Sequence, residues 1–308
     1  MPQGSILGPL LFLIYVNDIH KCTASFKPRL FADDSNVFLA SDSLTNLETA
    51  ANEALSALNN WFSTNNLKIN INKTNFMVFN PHPRKHIDLN LNIKVSDNNI
   101  SCVSCCKYLG VYIDNDLKWK SHVDTVYQKL VKFCGILFKL RDLMPLECLR
   151  TVYYAFIHSQ IQYGIELYAN CNKTVRNRLH ILNNKILRIL FNKTAREHSI
   201  PLYKEIGTLP IDRLHELKLL QFVHGCVYKK ETIPDIFYNK FNFTCEKNHY
   251  LYRQSCNLCI PRFKTDFGLK TSLYKCCKLW NMLPNDLKRV SNTELFRKRL
   301  KTIMLEAL

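Results

Sequence analysis

The sequence predicts an α+β fold, with a front part of short strands and packed helices and a back part that is helical. Two observations carry this. Up to residue 118, alternating apolar stretches mix with helical stripes, and from Trp119 the helical period takes over. Charge divides at the same place. Residues 1–118 hold ten Lys/Arg and ten Asp/Glu, whereas 119–308 hold thirty-two and fifteen, so the whole net charge of +17 lies in the back. A polar, aromatic and basic tail follows the helical part. The expected segments are therefore 1–118, 119–231 and 232–308.

Leu10 to Ile19 is apolar nearly all round and follows Pro9, which reads as a buried helix with proline in its first turn. Leu30–Ala32 and Asn36–Leu39 read as two short strands joined by a tight Asp33-Asp34-Ser35 turn. A helix is expected over Ser43 to Asn65, with Thr45 capping toward Glu48. Its apolar face is Leu47, Ala51, Ala54, Leu55, Leu58 and Phe62. Lys68 to Phe79 alternates like a strand, 81–100 is polar with a Pro-His-Pro loop and a candidate strand at 89–95, and Tyr108 to Asp114 is a further strand. Next, Val123, Val126, Tyr127, Leu130, Cys134, Leu137 and Leu140 form one helical stripe. Pro145 opens a second helix with Leu149, Val152, Tyr153, Phe156, Ile157 and Ile161 on one face. Helices are expected over 174–191, 211–230 and 293–306.

Composition narrows the function. A polyanion such as DNA or RNA is the usual partner for so lopsided a positive charge; the plain alternative is a soluble basic protein. Thirteen cysteines, odd in number and irregularly spaced in a long chain, fit reduced thiols in a nuclear or cytoplasmic protein rather than a disulfide scaffold. The longest apolar run, Ile6 to Val16, is broken by Gly8 and Pro9 and is too short to span a bilayer. No Lys or Arg precedes it, so it is not expected to be a signal peptide or to imply a membrane partner.

Asp33-Asp34 carries the chemical signal. Adjacent aspartates often mark only a turn, for local hydrogen-bonding reasons. Flanked by apolar strands, they are also costly unless a cation lies between them. A hairpin tip aims carboxylates outward, and Mg²⁺ prefers such oxygen ligands together with water and phosphate. Phosphoryl transfer to a growing strand uses two such ions roughly 3.5–4 Å apart.

The surrounding residues add a resemblance. Pro2-Gln3-Gly4-Ser5-Ile6-Leu7-Gly8-Pro9-Leu10-Leu11-Phe12 resembles a reverse-transcriptase motif and is followed at the right interval by Phe31-Ala32-Asp33-Asp34. Trp61-Phe62, Asn65 to Asn70, Lys73-Thr74 and Tyr108 to Asp114 come next in order, with Leu117 and Trp119 behind. The set is similar to non-LTR (LINE-type) retrotransposon enzymes of jockey-like or CR1-like kind. Leu279 to Pro284 and Phe296 to Leu300 are also similar to the ends of those polyproteins.

The resemblance implies an incomplete polymerase palm over 1–118, a helical thumb and a basic C-terminal extension. It implies RNA-directed DNA polymerase activity with Mg²⁺, on an RNA template, deoxynucleoside triphosphates and a DNA primer, here the 3′-hydroxyl of a nicked target. Asp33 would be the main metal ligand, with Asp34 beside it. Lys73 would protonate the departing pyrophosphate, or stand as a solvated lysine. Gln3, Gly4 and Ser5 would lie beside template and nucleotide, with a helix cap as the other role open to Ser5. Tyr108, Leu109 and Gly110 would belong to the hairpin that grips the primer, or to the core. Thumb phosphate contacts would come from among Lys129, Lys132, Lys139, Arg141, Arg176, Arg178, Lys185 and Arg188. The family's further catalytic Asp, upstream of Pro2, has no counterpart here, so the sequence reads as a C-terminal fragment. A catalytically inactive nucleic-acid-binding remnant is therefore the competing reading. Cys245, His249, Cys256, Cys259, Cys276 and Cys277 invite a zinc reading, but only Cys256 and Cys259 have suitable spacing. Buried thiols are the expectation there and at Cys102 and Cys105.

Overall fold

The computed structural model describes residues 4–23, 26, 28–79, 91–237, 239–244 and 256–308. The chain forms two compact units, Met1–Cys106 and Lys107–Leu308. Together they give a mixed α+β architecture of small sheets and packed helices.

The first unit opens with α1 (Leu7–Val16), which begins earlier than the sequence predicts. The expectation that this helix is buried fails. Leu10, Leu11, Leu13 and Ile14 are exposed, and within α1 only Val16 is buried. A helix apolar on every side needs cover on every side. The neighbouring core, Ile19, Phe26, Ala54 and Leu58 with Val37, Leu39, Trp61 and Phe62 against it, includes no residue of α1.

Strands β1 (Arg29–Phe31) and β2 (Asp34–Asn36) pair antiparallel. Helix α2 (Leu44–Thr64) carries the expected apolar face, with Ala54 and Leu58 buried. Its cap is Ser43 rather than Thr45: the Ser43 hydroxyl accepts from the Asn46 amide at 3.2 Å. Ala51 and Leu55 on the same face pack on a second small core, Ile93, Val95 and Ile100. Asn52 fastens the hairpin of β4 (Lys94–Val95) and β5 (Asn98–Asn99) to α2. Its amide donates to the Asn92 carbonyl at 3.0 Å and its carbonyl accepts from the Lys94 amide at 2.9 Å.

The alternating stretch 68–79 yields only β3 (Asn75–Phe76), paired in parallel with β6 (Ser101–Cys102). Asn70 diverts the rest into a turn, because its carbonyl accepts from Thr74 N and its side chain from Lys73 N. Of the candidate strand 89–95, only Lys94–Val95 forms. Residues 89 and 90, like the Pro-His-Pro loop, lie outside the described residues.

In the second unit the predicted helical stripes become a core. On α3 (Lys120–Leu140), Val123, Val126, Leu130, Cys134 and Leu137 are buried. The helix after Pro145 runs as α4 (Leu146–Val152), a π-helical turn over Tyr153–His158, and α5 (Ser159–Gln162). It buries Leu149, Tyr153, Ile157 and Ile161. Phe156 stays half exposed, stacked on Phe133 at 5.3 Å. After α6 (Ile165–Tyr168) come α7 (Lys173–Leu190), α8 (Ile200–Ile206) and α9 (Ile211–Tyr228). The tail adds α10 (Asp266–Lys270), α11 (Ser272–Met282), α12 (Asn285–Lys288) and α13 (Thr293–Glu306). The core is continuous from Val123 to Leu300 and includes Trp280 and Phe296.

A buried polar chain crosses this core. Tyr153 donates to Asn183 at 3.1 Å, Asn183 donates to Tyr203 at 3.0 Å, and Tyr203 donates to Asn184 at 2.8 Å. Asn183→Leu would leave two buried hydroxyls short of a partner. It is expected to lower unfolding free energy by about 2–4 kcal/mol, read in urea titrations. A loss under ~0.5 kcal/mol would contradict the role given to this chain.

Candidate functional site

The acidic pair sits where β1 turns into β2. Phe31 pairs with Asp34, so the turn residues are Ala32 and Asp33, one position earlier than the sequence predicts. Ala32 takes the positive φ of 50° that a two-residue turn demands. The shift has a consequence. Asp33 stands at the tip, whereas Asp34 becomes a strand residue sharing a face with Phe31, its cross-strand partner. Both carboxylates and Phe31 are exposed.

Lys73 lies in the 70–74 turn with an exposed side chain, and among the described residues no ion pair joins it to Asp33 or Asp34. Gly4 has φ 88°, and a side chain there would meet nothing within 4 Å, so backbone conformation alone favours glycine. The Ser5 hydroxyl accepts from the Gly8 amide at 3.1 Å and so caps the entry to α1. Gln3 lies outside the described residues.

In the second unit, Tyr108 to Asp114 is a hairpin rather than one strand. β7 (Cys105–Tyr108) pairs with β8 (Val111–Asp114) through Leu109 and Gly110, whose φ values are 46° and 81°. Two consecutive positive-φ residues make the primed turn that matches strand twist. Tyr163 holds the tip: its hydroxyl donates to the Leu109 carbonyl, and its ring lies where a side chain on Gly110 would go, at 3.1 Å. Gly110→Ala is expected to cost about 1–3 kcal/mol from backbone strain and collision with Tyr163, read as a lower melting temperature. Unchanged melting would mean the turn relaxes freely.

The base of the hairpin is fixed to α3. Buried Asp114 accepts from the Ser121 amide at 3.3 Å, and His122 Nδ1 accepts from the Tyr112 amide at 3.3 Å. Burial first, then the Lys129 charge, pushes the His122 pKa down to about 4 against an opposing pull from Asp114, so this ring is neutral at pH 7.

Many of the expected phosphate-binding cations have internal partners. Arg176 pairs with Asp212 and reaches the Ala169 and Cys171 carbonyls, and Arg178 pairs with Asp124. Arg188 donates to the Glu197 carbonyl, Arg141 contacts Asp142 and the Phe138 ring, and Lys129 donates to Gln160. Lys132, Lys139 and Lys185 are exposed and, among the described residues, outside any ion pair. A denser cationic surface lies on α13, where Arg297, Lys298, Arg299 and Lys301 are exposed while Phe296 and Leu300 point into the core. The four-residue apolar spacing of 296 and 300 is the sequence signal that separates this basic face from the buried one.

A family profile described as reverse transcriptase (RNA-dependent DNA polymerase) matches residues 1–113. The RNA-directed DNA polymerase from mobile element jockey of Drosophila melanogaster is 26% identical over 198 residues, covering 61% of this chain and 21% of that protein. The probable RNA-directed DNA polymerase from transposon BS, also of Drosophila melanogaster, is 26% identical over 202 residues, covering 62% and 22%. This chain is a distant, partial homologue of non-LTR retrotransposon reverse transcriptases. A retrovirus-related Pol polyprotein from a type-1 retrotransposable element, R1 2 of Nasonia vitripennis, is 27% identical over 138 residues, covering 42% of this chain and 33% of that protein. The chain spans about a fifth of the length of the jockey-type relatives. No solved structure matches it.

Reverse transcriptases of this kind imply Mg²⁺. Among the described residues no group of three or more His, Cys, Asp or Glu could hold a metal ion. Asp33 at the turn and Asp34 in the adjoining strand offer two adjacent carboxylates on one exposed hairpin, which does not by itself fit a pair of bridged ions needing shared ligands from separate elements. Among the described residues the cysteines offer no zinc set either. Cys276 and Cys277 are fully buried, with burial pushing both thiols up, and Cys276 donates weakly to the Leu219 carbonyl at 3.9 Å. Cys256 and Cys259 are half-buried, and Cys245 and His249 lie outside the described residues. Among the described residues no helix is long and apolar enough to cross a membrane.

Proposed function

We propose that this chain is a nucleic-acid-binding relative of a retrotransposon reverse transcriptase that does not polymerise by itself. The observation carrying this reading is the partition of charge. The net +17 lies entirely behind residue 118, and its cations include the exposed basic row on α13. Neutralising phosphates needs only exposed Lys and Arg and no assembled carboxylate cluster, of which there is none among the described residues. Partners would be RNA and DNA, with the second unit acting as the thumb-like and C-terminal basic part.

The test is fluorescence anisotropy with a labelled RNA hairpin and a DNA duplex across a salt series. Affinity is expected to fall linearly on log–log axes, reaching dissociation constants on the order of 10⁻⁴–10⁻⁶ M near physiological salt. Replacing Lys298, Arg299 and Lys301 with alanine is expected to reduce the salt slope by about one for each phosphate that is no longer neutralised. Salt-independent binding would remove the reading.

A second reading keeps the polymerase. It is favoured by the exposed hairpin tip that presents Asp33, beside the strand residue Asp34, within residues matching the reverse-transcriptase profile. In it Asp33 and Asp34 would be the residues of this chain that ligate Mg²⁺, although the two alone do not complete a site for a bridged pair, and Lys73 would stand near the leaving group. Gln3, Gly4 and Ser5 meet template and nucleotide, and Tyr108, Leu109 and Gly110 meet the primer. Primer extension on an RNA template decides between the two. Mg²⁺-dependent incorporation that disappears in Asp33→Ala would establish the polymerase and overturn the first reading.

A further inference from the structure

Between α3 and α7 the second unit opens a surface groove of about 710 Å³. Its apolar lining includes Val131, Cys134 and Phe138 from α3 and Ile181, Leu182 and Ile189 from α7. From Arg178 to Ile189 the groove follows α7 for about three helical turns, roughly 16 Å. Val131, Phe138 and Ile181 are 41%, 52% and 59% exposed and line the same groove, so they form a contiguous apolar patch rather than scattered single residues. Gly135 lies in the C-terminal half of α3 on this lining, and a Cβ there would meet nothing within 4 Å. Glycine weakens an exposed helix relative to alanine, so the missing side chain trades helix stability for depth.

The rim is cationic. Lys139 and Lys185 are exposed and, among the described residues, have no ion-pair partner. Arg178, in contrast, is held by Asp124 with its guanidinium over Tyr127 at 4.9 Å. An apolar strip a few turns long with unspent positive charge beside it complements a helix that has an apolar stripe and acidic flanks. A nucleic acid fits less well. The lining holds two aromatic rings, Tyr127 and Phe138, and the Tyr127 face is already taken by the Arg178 guanidinium, while Val131, Ile181, Leu182 and Ile189 give the floor an aliphatic surface on which bases do not stack.

We propose that the α3–α7 groove docks an amphipathic protein helix whose apolar stripe is flanked by Asp or Glu. This site is separate from the α13 basic row and does not depend on nucleic-acid binding.

The probe is a fluorescent helix-forming peptide of about 15 residues, with Leu at helical spacing and Glu on both flanks. A matched peptide carries Lys in place of Glu. With the full chain, the Glu peptide is expected to bind at least about tenfold tighter than the Lys peptide. Gly135→Phe fills the open space and should weaken the Glu peptide by at least about tenfold with the melting curve unchanged. Lys139→Glu with Lys185→Glu should reverse the order of the two peptides. If Gly135→Phe does not fold, Ile181→Asp at its exposed position should give the same loss. Undiminished binding by the folded variants overturns the proposal. So does absence of binding up to about 1 mM peptide, or an unlabelled RNA that displaces the peptide and itself loses affinity in Gly135→Phe.

Discussion

Lowering the pH from 7.5 to 5 is expected to remove about 4 kcal/mol of unfolding free energy from the second unit, through His122 and His215 together. Both are buried, at 4% and 5% exposure, and each has an Nε2 atom with no hydrogen-bond partner. Burial is the main cause of their lowered pKa values, about 4 for His122 and about 3 for His215. The charges of Lys129 near the first, and of Lys275 and Arg176 near the second, add to it, while Asp114 and Asp212 oppose it. The unfolded chain takes up a proton on each ring as pH drops below about 6.5, while the folded chain does not until about 4 or below. Stability contributed by the neutral rings is therefore complete above 6.5 and drains away below it. His158, also lowered to about 4 by burial and by Lys301 and Lys218, adds to the same trend. Urea titrations at the two pH values measure the change. His215→Leu, which puts an apolar side chain at that buried position on α9, is expected to flatten the dependence by close to one proton while leaving stability at pH 7.5 little altered. A variant as acid-sensitive as the parent would contradict this account.

Trp280→Ala is expected to cost about 3–5 kcal/mol, a large part of the 5–15 kcal/mol typical of a domain. Trp280 is fully buried, its indole N–H donates to the Cys256 carbonyl at 3.1 Å, and its ring lies 6.1 Å from Phe296. Its loss removes the apolar packing that ties α11 to α13 together with the indole hydrogen bond to the Cys256 carbonyl. Hydrogen exchange should then show α9, α11 and α13 opening together, because they share one core. Trp280→Phe restores the ring but not the donor and should recover more than half of the loss. Independent exchange of α13 in Trp280→Ala would mean the tail is its own folding unit.

Much of the helical part was legible in the sequence. The α3 stripe, the opening at Pro145 and the limits of α13 follow from a 3.6-residue period sustained over several turns. α11 went unread because 272–282 interleaves Lys275, Lys278 and Asn281 with its apolar residues and sits in a tail whose composition looks irregular. The strand at 68–79 failed because alternation says nothing about the Asn70 side chain, which captures the backbone into a turn. The candidate site was legible as motif but not as geometry. A one-residue shift of the turn at Ala32 moved Asp34 from the tip to the strand, because hairpin register is set by turn type and loop length, which residue identity around Asp33 left open.

By itself the sequence determined which residues could carry chemistry, where the positive charge lies, and which helices are amphipathic, because these depend on residue identity and local period. Tertiary structure alone decided which cations are left over after Arg176, Arg178 and Arg188 find internal partners. It also decided that the apolar α1 stays largely uncovered, and that α3 and α7 leave a groove at Gly135. Those outcomes depend on what distant segments bring alongside each residue, and burial, ion pairing and open space exist only once that packing is made.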